Sequence, residues 1–299
     1  MVLSAIIYSA MEKICFIINP KAGRQRYTEV IKKIKEKLDL KKYKYEIKLS
    51  QNKYDIPKIT RRGLKNKVDF FVAIGGDGTV NEICRELINS NKKIGVIPIG
   101  SGNGLAFNLG INKNIDKSIH IINTGAYKKI DSISINNKFF FNVAGIGYDA
   151  LVAKHFKNEK KRGLLKYIFL SIFLLKKYKP EEYVLIFNNS KFNINPFIIA
   201  ICNSKQYGNN FHICPEAIIN DGKINICLIR KCSFLDLIGL TWNFYFGKIH
   251  KSKLYKSYIT EKIIIKSQKN ILMHLDGESV EFEKKIKIKI IPKSIKFVC

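Results

Sequence analysis

Acidic side chains are scarce in this 299-residue chain: 24 Asp and Glu face 53 Lys and Arg, a formal net charge of +29. Arginine is scarcer still, with only 7 residues, so the excess is almost entirely lysine. A hydrophobic content of 46% excludes a disordered polycation, because the apolar mass suffices for a core. No Cys-x-x-Cys pair occurs among the 7 cysteines, and their number is odd. The count and spacing argue against both a disulfide framework and a zinc site, and they point to a reducing, cytoplasmic setting. The 5 histidines form no ligand cluster in sequence. No apolar stretch approaches the roughly 20 residues a membrane-spanning helix needs. The longest, Leu164–Leu175, carries Lys166 within it and reads first as a buried helix. Its flanks, Lys160, Lys161, Arg162, Lys176, Lys177 and Lys179, leave a second reading, a helix that docks on a membrane surface.

The charge points to an anionic partner laid over a lysine-rich coding bias. Nucleic acid is the weaker choice: the basic residues are spread along the chain, and no RNP, zinc-finger or helix-turn-helix signature accompanies them. Residues 1–10 lack the charged flank of a signal peptide and read as an extension, with translation able to start at Met11.

From residue 14 to about 122, short β-branched runs alternate with helical stripes. Residues 14–18, 45–49, 68–74 and 94–97 read as strands, and stripes such as Val30, Ile31, Ile34, Leu38 and Val80, Ile83, Cys84, Leu87 read as helices. This alternation predicts an α/β domain over 11–125 with a doubly wound parallel sheet. After Tyr127 short strands dominate: 130–135, 139–143, 183–187, 192–202, 224–229, 263–267, 271–275 and 285–291. Helical inserts interrupt them near 149–178 and 234–247. A mostly antiparallel β-sandwich over 126–299 is expected, with the last strand able to return to the first domain.

Three glycine-rich turns follow parallel-strand candidates: Asn19-Pro20-Lys21-Ala22-Gly23, Gly75-Gly76-Asp77-Gly78-Thr79 and Gly100-Ser101-Gly102-Asn103-Gly104. Ligands of open α/β sheets bind beyond the carboxyl ends of strands, where glycine backbone and helix N-termini receive phosphate. One such loop would be an ordinary connection; three at one sheet edge point to a nucleotide. No G-x-x-x-x-G-K-[ST] is present, and the third loop lacks the last glycine of G-x-G-x-x-G. Asp77 among these glycines would repel a phosphate unless Mg²⁺ lies between them, which suggests Mg-ATP.

GGDGTVNEI (75–83), NPKAG (19–23), PIGSGNGLAFNLGI (98–111), FFNVAGIGYDA (140–150), PEAIINDGKIN (215–225) and HLDGE (274–278) together resemble the diacylglycerol/sphingosine lipid kinase family. That family is similar in fold to NAD kinases. GGDGT alone would also fit an NAD kinase, whereas the DGK (221–223) and LDGE elements favour a lipid kinase.

The resemblance implies an ATP- and Mg²⁺-dependent transfer to a lipid hydroxyl. Asn19, Pro20, Lys21, Ala22 and Gly23 would form the first ATP loop. Gly75, Gly76, Asp77, Gly78, Thr79, Val80, Asn81 and Glu82 would form the phosphate loop and its helix. Ser50 and Ser101 stand where the family has nucleotide-contacting threonines. Glu278 falls on the general base. Asp276, two residues earlier, shares its side if the turn is extended, and the paired acids could then hold Mg²⁺ and orient the hydroxyl; an Asp-Gly hairpin turn between 271–275 and 280–282 fits the same residues. Asp221 and Lys223 fall on a loop holding a structural Mg²⁺, although Asn220 replaces an Asp common there; a plain turn fits equally. Asp149 would shape the cleft. The implied partners are a lipid at an anionic membrane surface, reached peripherally from the cytoplasm, with no nucleic acid; a homodimer is compatible. A kinase of a soluble substrate such as NAD is the alternative.

Overall fold

A computed structural model describes residues 11–23, 26–52, 54–157, 164–175, 178–231 and 234–299. Four parallel strands open the chain: β1 (Glu12–Ile18), β2 (Tyr43–Leu49), β3 (Phe70–Gly75) and β4 (Lys93–Pro98), in the order β2-β1-β3-β4. Their crossovers carry α1 (Tyr27–Lys37), α2 (Asp55–Lys65) and α3 (Asp77–Leu87); α4 (Gly104–Asn108) and α5 (Ile115–Thr124) follow β4. Alternation along β1 decides which helices cover which face. Ile14, Phe16 and Ile18 pack with Val30 and Ile34 of α1 and Ile119 of α5, whereas Cys15 and Ile17 pack with Ile56 of α2 and Ile83 of α3. Strands covered on both faces are apolar throughout, which is why residues 14–18 and 70–74 read as unbroken apolar runs.

The chain continues through β5 (Tyr127–Ile135), β6 (Lys138–Phe140), β7 (Val143–Gly147), α6 (Tyr148–Lys157), α7 (Leu164–Leu175), β8 (Tyr183–Phe187), β9 (Ser190–Ile194), β10 (Ile198–Cys202), β11 (Ile224–Ile229) and α8 (Phe234–Tyr245). It ends with β12 (Tyr255–Thr260), β13 (Lys262–Ser267), β14 (Ile271–Leu275), β15 (Glu278–Phe282) and β16 (Lys285–Val298). One six-stranded sheet runs β12-β11-β10-β7-β14-β15, its neighbours antiparallel. It faces the antiparallel half of the other sheet across a core that includes Ile133, Leu185, Ile201, Ile226, Met273 and Ile286. The mixed α/β architecture with an antiparallel sandwich is the fold class expected from the sequence.

Several boundaries differ from the sequence reading. The run 139–143 breaks at Phe141-Asn142, and 192–202 breaks ahead of Phe197, where Pro196 lacks the N–H a ladder needs. The strand at 255–260 has no clean alternation to mark it in sequence: Ile259 is exposed, Thr260 is buried, and Lys256 and Ser257 stand between the tyrosines. The final strand is twice as long as 285–291: a bulge between Ile291 and Ile295 bends it, and Phe297 pairs in parallel with Ile94 of β4. Parallel and antiparallel parts thus share one ten-stranded sheet.

Candidate active site

Because β1, β3 and β4 are adjacent, the loops that leave their carboxyl ends converge. Their contact is backbone on backbone. A Cβ added to Gly100 would stand 2.4 Å from Gly76 Cα, and Ile99 and Gly100 both donate N–H to the Gly75 carbonyl at 3.0 and 3.1 Å. No side chain fits between the second and third loops. The first loop abuts the third through Gly23, beside the Ile99 backbone; Asn19 Oδ1 accepts the Lys21 N–H, and Asn19 O accepts that of Ala22. Pro20 and Lys21 complete this turn between β1 and α1.

The second sheet closes over the loops. A Cβ on Gly104 would meet the Tyr207 carbonyl at 2.5 Å and Asn142 Nδ2 at 2.7 Å. Asn142 Nδ2 donates to the Gln206 carbonyl at 3.0 Å, and Ser204 Oγ donates to Asn142 Oδ1. Residues 203–208 therefore wall the third loop.

Asp276 is the main polar link across the cleft. Oδ1 accepts the N–H groups of Asn142 and Val143 at 2.9 and 3.0 Å; Oδ2 accepts the Phe141 N–H at 2.9 Å and Asn81 Nδ2 at 3.0 Å. Burial pushes its carboxyl up to about 6 and Asp77 adds repulsion, while the three amides oppose the shift. Asp276 and Gly277 both have positive φ, 49° and 85°, so they form the centre of a tight turn. Of the two readings of this segment, the structure has the Asp-Gly hairpin turn between β14 and β15, and the extended form that would put Asp276 and Glu278 on one side is set aside. All four acceptor positions of Asp276 are engaged, so its assignment to Mg²⁺ is corrected to anchoring the turn.

The turn delivers Glu278, at the start of β15, to the N-terminus of α3. A Cβ on Gly78 would be 4.0 Å from Glu278 Oε1, and Glu278 is exposed at the cleft. Behind the turn lies a buried network. Tyr207 donates its hydroxyl to Asp149 Oδ2 at 2.8 Å, and His274 Nε2 lies 3.2 Å from the same oxygen. His274 Nδ1 accepts the Gly277 N–H at 3.3 Å, which puts the ring proton on Nε2, facing Asp149. The sequence reading had Asp149 but missed His274 and Tyr207, since 58 and 125 residues separate Asp149 from its partners.

Asp77 opens α3, yet its carboxylate turns toward the third loop. Oδ1 lies 3.4 Å from the Leu105 N–H, and a Cβ on Gly102 would be 2.8 Å from Oδ2. Burial raises its pKa, against the amides of Asn103, Leu105 and Gly104. These amides offset part of the negative charge of Asp77. Thr79 Oγ1 and Asn103 Oδ1 are buried among the loops with no hydrogen-bond partner among the described residues.

Other expected nucleotide contacts are placed elsewhere. Val80 is buried in the helix–sheet core, Asn81 holds Asp276, and Glu82 pairs with Arg85 at 2.9 Å. These three are corrected from nucleotide contacts to parts of the scaffold. Ser50 is buried beside the first loop and donates its hydroxyl to the Ile18 carbonyl at 3.1 Å, whereas Ser101 is exposed at the rim.

Asp221 lies apart from the loops. Its Oδ1 accepts the Lys223 N–H at 2.9 Å, and the adjacent Gly222 N–H donates to Asp131 Oδ2 at 2.7 Å. Asp131 Oδ1 takes the Lys293 N–H at 2.6 Å, which braces the bulge of β16. Burial raises the Asp131 pKa, and those amides oppose it. The Asp221 turn borders an open cavity of about 730 Å³ that Lys262, Lys289 and Lys293 also line. Among the described residues, the one cluster of three potential ligating side chains is cysteine: Cys202, Cys214 and Cys227. Spacing along the chain does not report on this cluster, which is built from two strands and a loop.

No helix among the described residues is long and apolar enough to cross a membrane. On the outer face of the six-stranded sheet, Leu174 of α7 and Leu240 of α8 share one apolar cluster, while Ile172, Phe173, Trp242, Tyr245 and Phe246 are exposed. Lys160, Lys161, Arg162, Lys176 and Lys177 lie outside the described residues.

Residues 13–135 match the model of the diacylglycerol kinase catalytic domain, and residues 142–299 match that of the YegS C-terminal NAD kinase beta sandwich-like domain. The chain is 28% identical over 260 residues to a Shewanella frigidimarina protein named "Probable lipid kinase YegS-like", covering 85% of this chain and 84% of that one. It is 24% identical over 276 residues to a Bacillus subtilis diacylglycerol kinase, covering 90% of each chain. A crystal structure of a Bacillus anthracis diacylglycerol kinase superposes with a TM-score of 0.73 at 17% identity, over 97% of each chain, and supports the fold.

Proposed function

The chain belongs to the lipid kinase family that carries a diacylglycerol kinase catalytic domain, and from that premise we propose that it transfers the γ-phosphoryl group of Mg-ATP to the hydroxyl of diacylglycerol or a closely related lipid. The observation that carries this reading is the position of Glu278, delivered by the Asp276-Gly277 turn to Gly78 at the N-terminus of α3, where three glycine loops meet.

Phosphoryl transfer is mostly positioning and charge stabilisation, with an in-line hydroxyl that must lose its proton. The exposed N–H groups of the loops and the start of α3 would hold the phosphates. The orphaned Thr79 hydroxyl supplies a further donor there, and Asn103 Oδ1 an acceptor for water around a hydrated cation. Residues present therefore fit a nucleotide with a divalent ion, for which Asp77 and Glu278 are the candidate holders. Mg²⁺ would neutralise charge on the transferring group when bound. Glu278 accepts the proton of the lipid hydroxyl. Asp276 and the His274–Asp149 pair fix the turn, so Glu278 is held relative to the loops. For the Asp221 turn, a structural Mg²⁺ would have to draw mainly on backbone carbonyls, because Asp221 Oδ1 already accepts the Lys223 N–H.

The lipid lies in a bilayer, and we place the membrane contact on the exposed apolar side chains of α7 and α8, with lysines adding roughly 1 kcal/mol each near an anionic leaflet. A labelled-ATP assay over dispersed diacylglycerol, sphingoid base and ceramide, with NAD as a soluble control, tests the reading. Label in a lipid is expected; label in NAD alone would overturn it.

A further inference from the structure

Cys202 ends β10, Cys227 lies on the neighbouring β11, and Cys214 comes from the segment between those strands. All three are fully buried, and their sulfur atoms lie within 4.8 Å of one another. Three sulfurs bound to one zinc-sized ion at about 2.3 Å would be about 3.8–4.0 Å apart, so the cluster needs only sub-ångström to ångström closure. Apolar packing alone does not call for the polar chain attached to it. Tyr255 Oη is 3.0 Å from Cys227 Sγ and donates its single proton to Glu216 Oε1 at 2.9 Å. The Cys227 thiol is therefore the donor to Tyr255, and a relay leads from the buried sulfurs to an exposed carboxylate.

We propose that Cys202, Cys214 and Cys227 form a three-thiolate site for a thiophilic divalent cation of the Zn²⁺ class, with Tyr255 and Glu216 as its outer partners. Binding exchanges three S–H bonds for three metal–sulfur bonds. The protons leave to water through Tyr255 and Glu216, and no electrons are transferred. Soft thiolate sets of this kind select zinc-like ions over Mg²⁺. The segment carrying Cys214 also carries Tyr207 and Gly208, which wall the third glycine loop, so the ion would fasten that wall to the outer sheet. The proposal rests on these side chains alone and stands or falls separately from the kinase reading.

The test is titration of the whole chain, stripped of metal and held reduced with a phosphine, using Co²⁺ as the probe. One Co²⁺ per chain with a thiolate-to-cobalt charge-transfer band and tetrahedral d–d bands is expected, and Zn²⁺ should displace it. Cys214→Ser should abolish that band, Glu216→Gln should weaken binding by about 10-fold, and Cys84→Ser should leave both unchanged. Cadmium NMR on the unmodified chain reads the number of sulfur ligands without any variant that might not fold, and a resonance in the multiple-thiolate range is expected. Absence of the charge-transfer band, its persistence in Cys214→Ser, or a cadmium resonance typical of oxygen ligands would overturn the proposal.

Discussion

Replacing Asp276 with Ala is the sharpest probe of how the two sheets are joined. The carboxylate accepts four hydrogen bonds, three from backbone N–H groups of residues 141–143 and one from Asn81 of α3. Alanine strands all four donors, and a buried donor left without a partner costs about 1–3 kcal/mol. Part of that is offset. Raising the carboxyl from 3.8 to about 6 means that holding it ionised costs roughly 3 kcal/mol at neutral pH, less where solvent reaches the turn, and alanine removes this cost. Four donors at that cost, less the offset, give an expected net loss of about 1–9 kcal/mol at pH 7, read by urea unfolding, with Glu278 released from its place over α3. The pH dependence gives the argument its sign. Between 3.8 and about 6 the folded chain keeps the Asp276 proton that the unfolded chain has lost, so this group's contribution to stability falls as pH rises through that window. The stability gap between the natural protein and Asp276→Ala should therefore be largest below pH 4 and shrink to its neutral value above pH 6. A gap under about 1 kcal/mol at neutral pH, or one that grows from pH 4 to 6, would refute this reading.

Two further outcomes follow from the same geometry. Gly100→Ala puts a methyl group 2.4 Å from Gly76 Cα, backbone that cannot yield cheaply, so it should cost about 1–3 kcal/mol and weaken nucleotide binding by calorimetry at least as much as it lowers stability. Trp242, the single tryptophan, is 68% exposed on α8; its emission should shift to the blue on anionic vesicles and stay unshifted on neutral ones. An emission that ignores anionic vesicles would remove α8 from the membrane contact.

The sequence was most legible where function depends on backbone. Gly76 and Gly100 are glycines because their loops touch, and that requirement is local enough to read from the motifs. The parallel strands were legible because burial on both faces leaves apolar runs such as residues 70–74. What escaped were contacts between residues far apart in the chain. His274 reaches Asp149 across 125 residues, and Asp131 braces Gly222 and Lys293 from a strand that reads only as alternating. Asp77 and Asp276 were recognisable as important, but not as acceptors of amide hydrogen bonds, because an aspartate's partner does not show in its neighbours. The cysteine cluster illustrates the same limit: spacing rules describe ligands on one hairpin or helix, and these three converge through strand pairing.

The central claim is that Glu278 removes the proton from a lipid hydroxyl while the glycine loops hold the nucleotide. The most direct measurement is transfer of labelled phosphate from Mg-ATP to dispersed diacylglycerol by the natural protein and by Glu278→Gln, alongside nucleotide affinity. The account predicts a fall in turnover of about 10²-fold or more with affinity retained. Near-normal turnover in Glu278→Gln would contradict it.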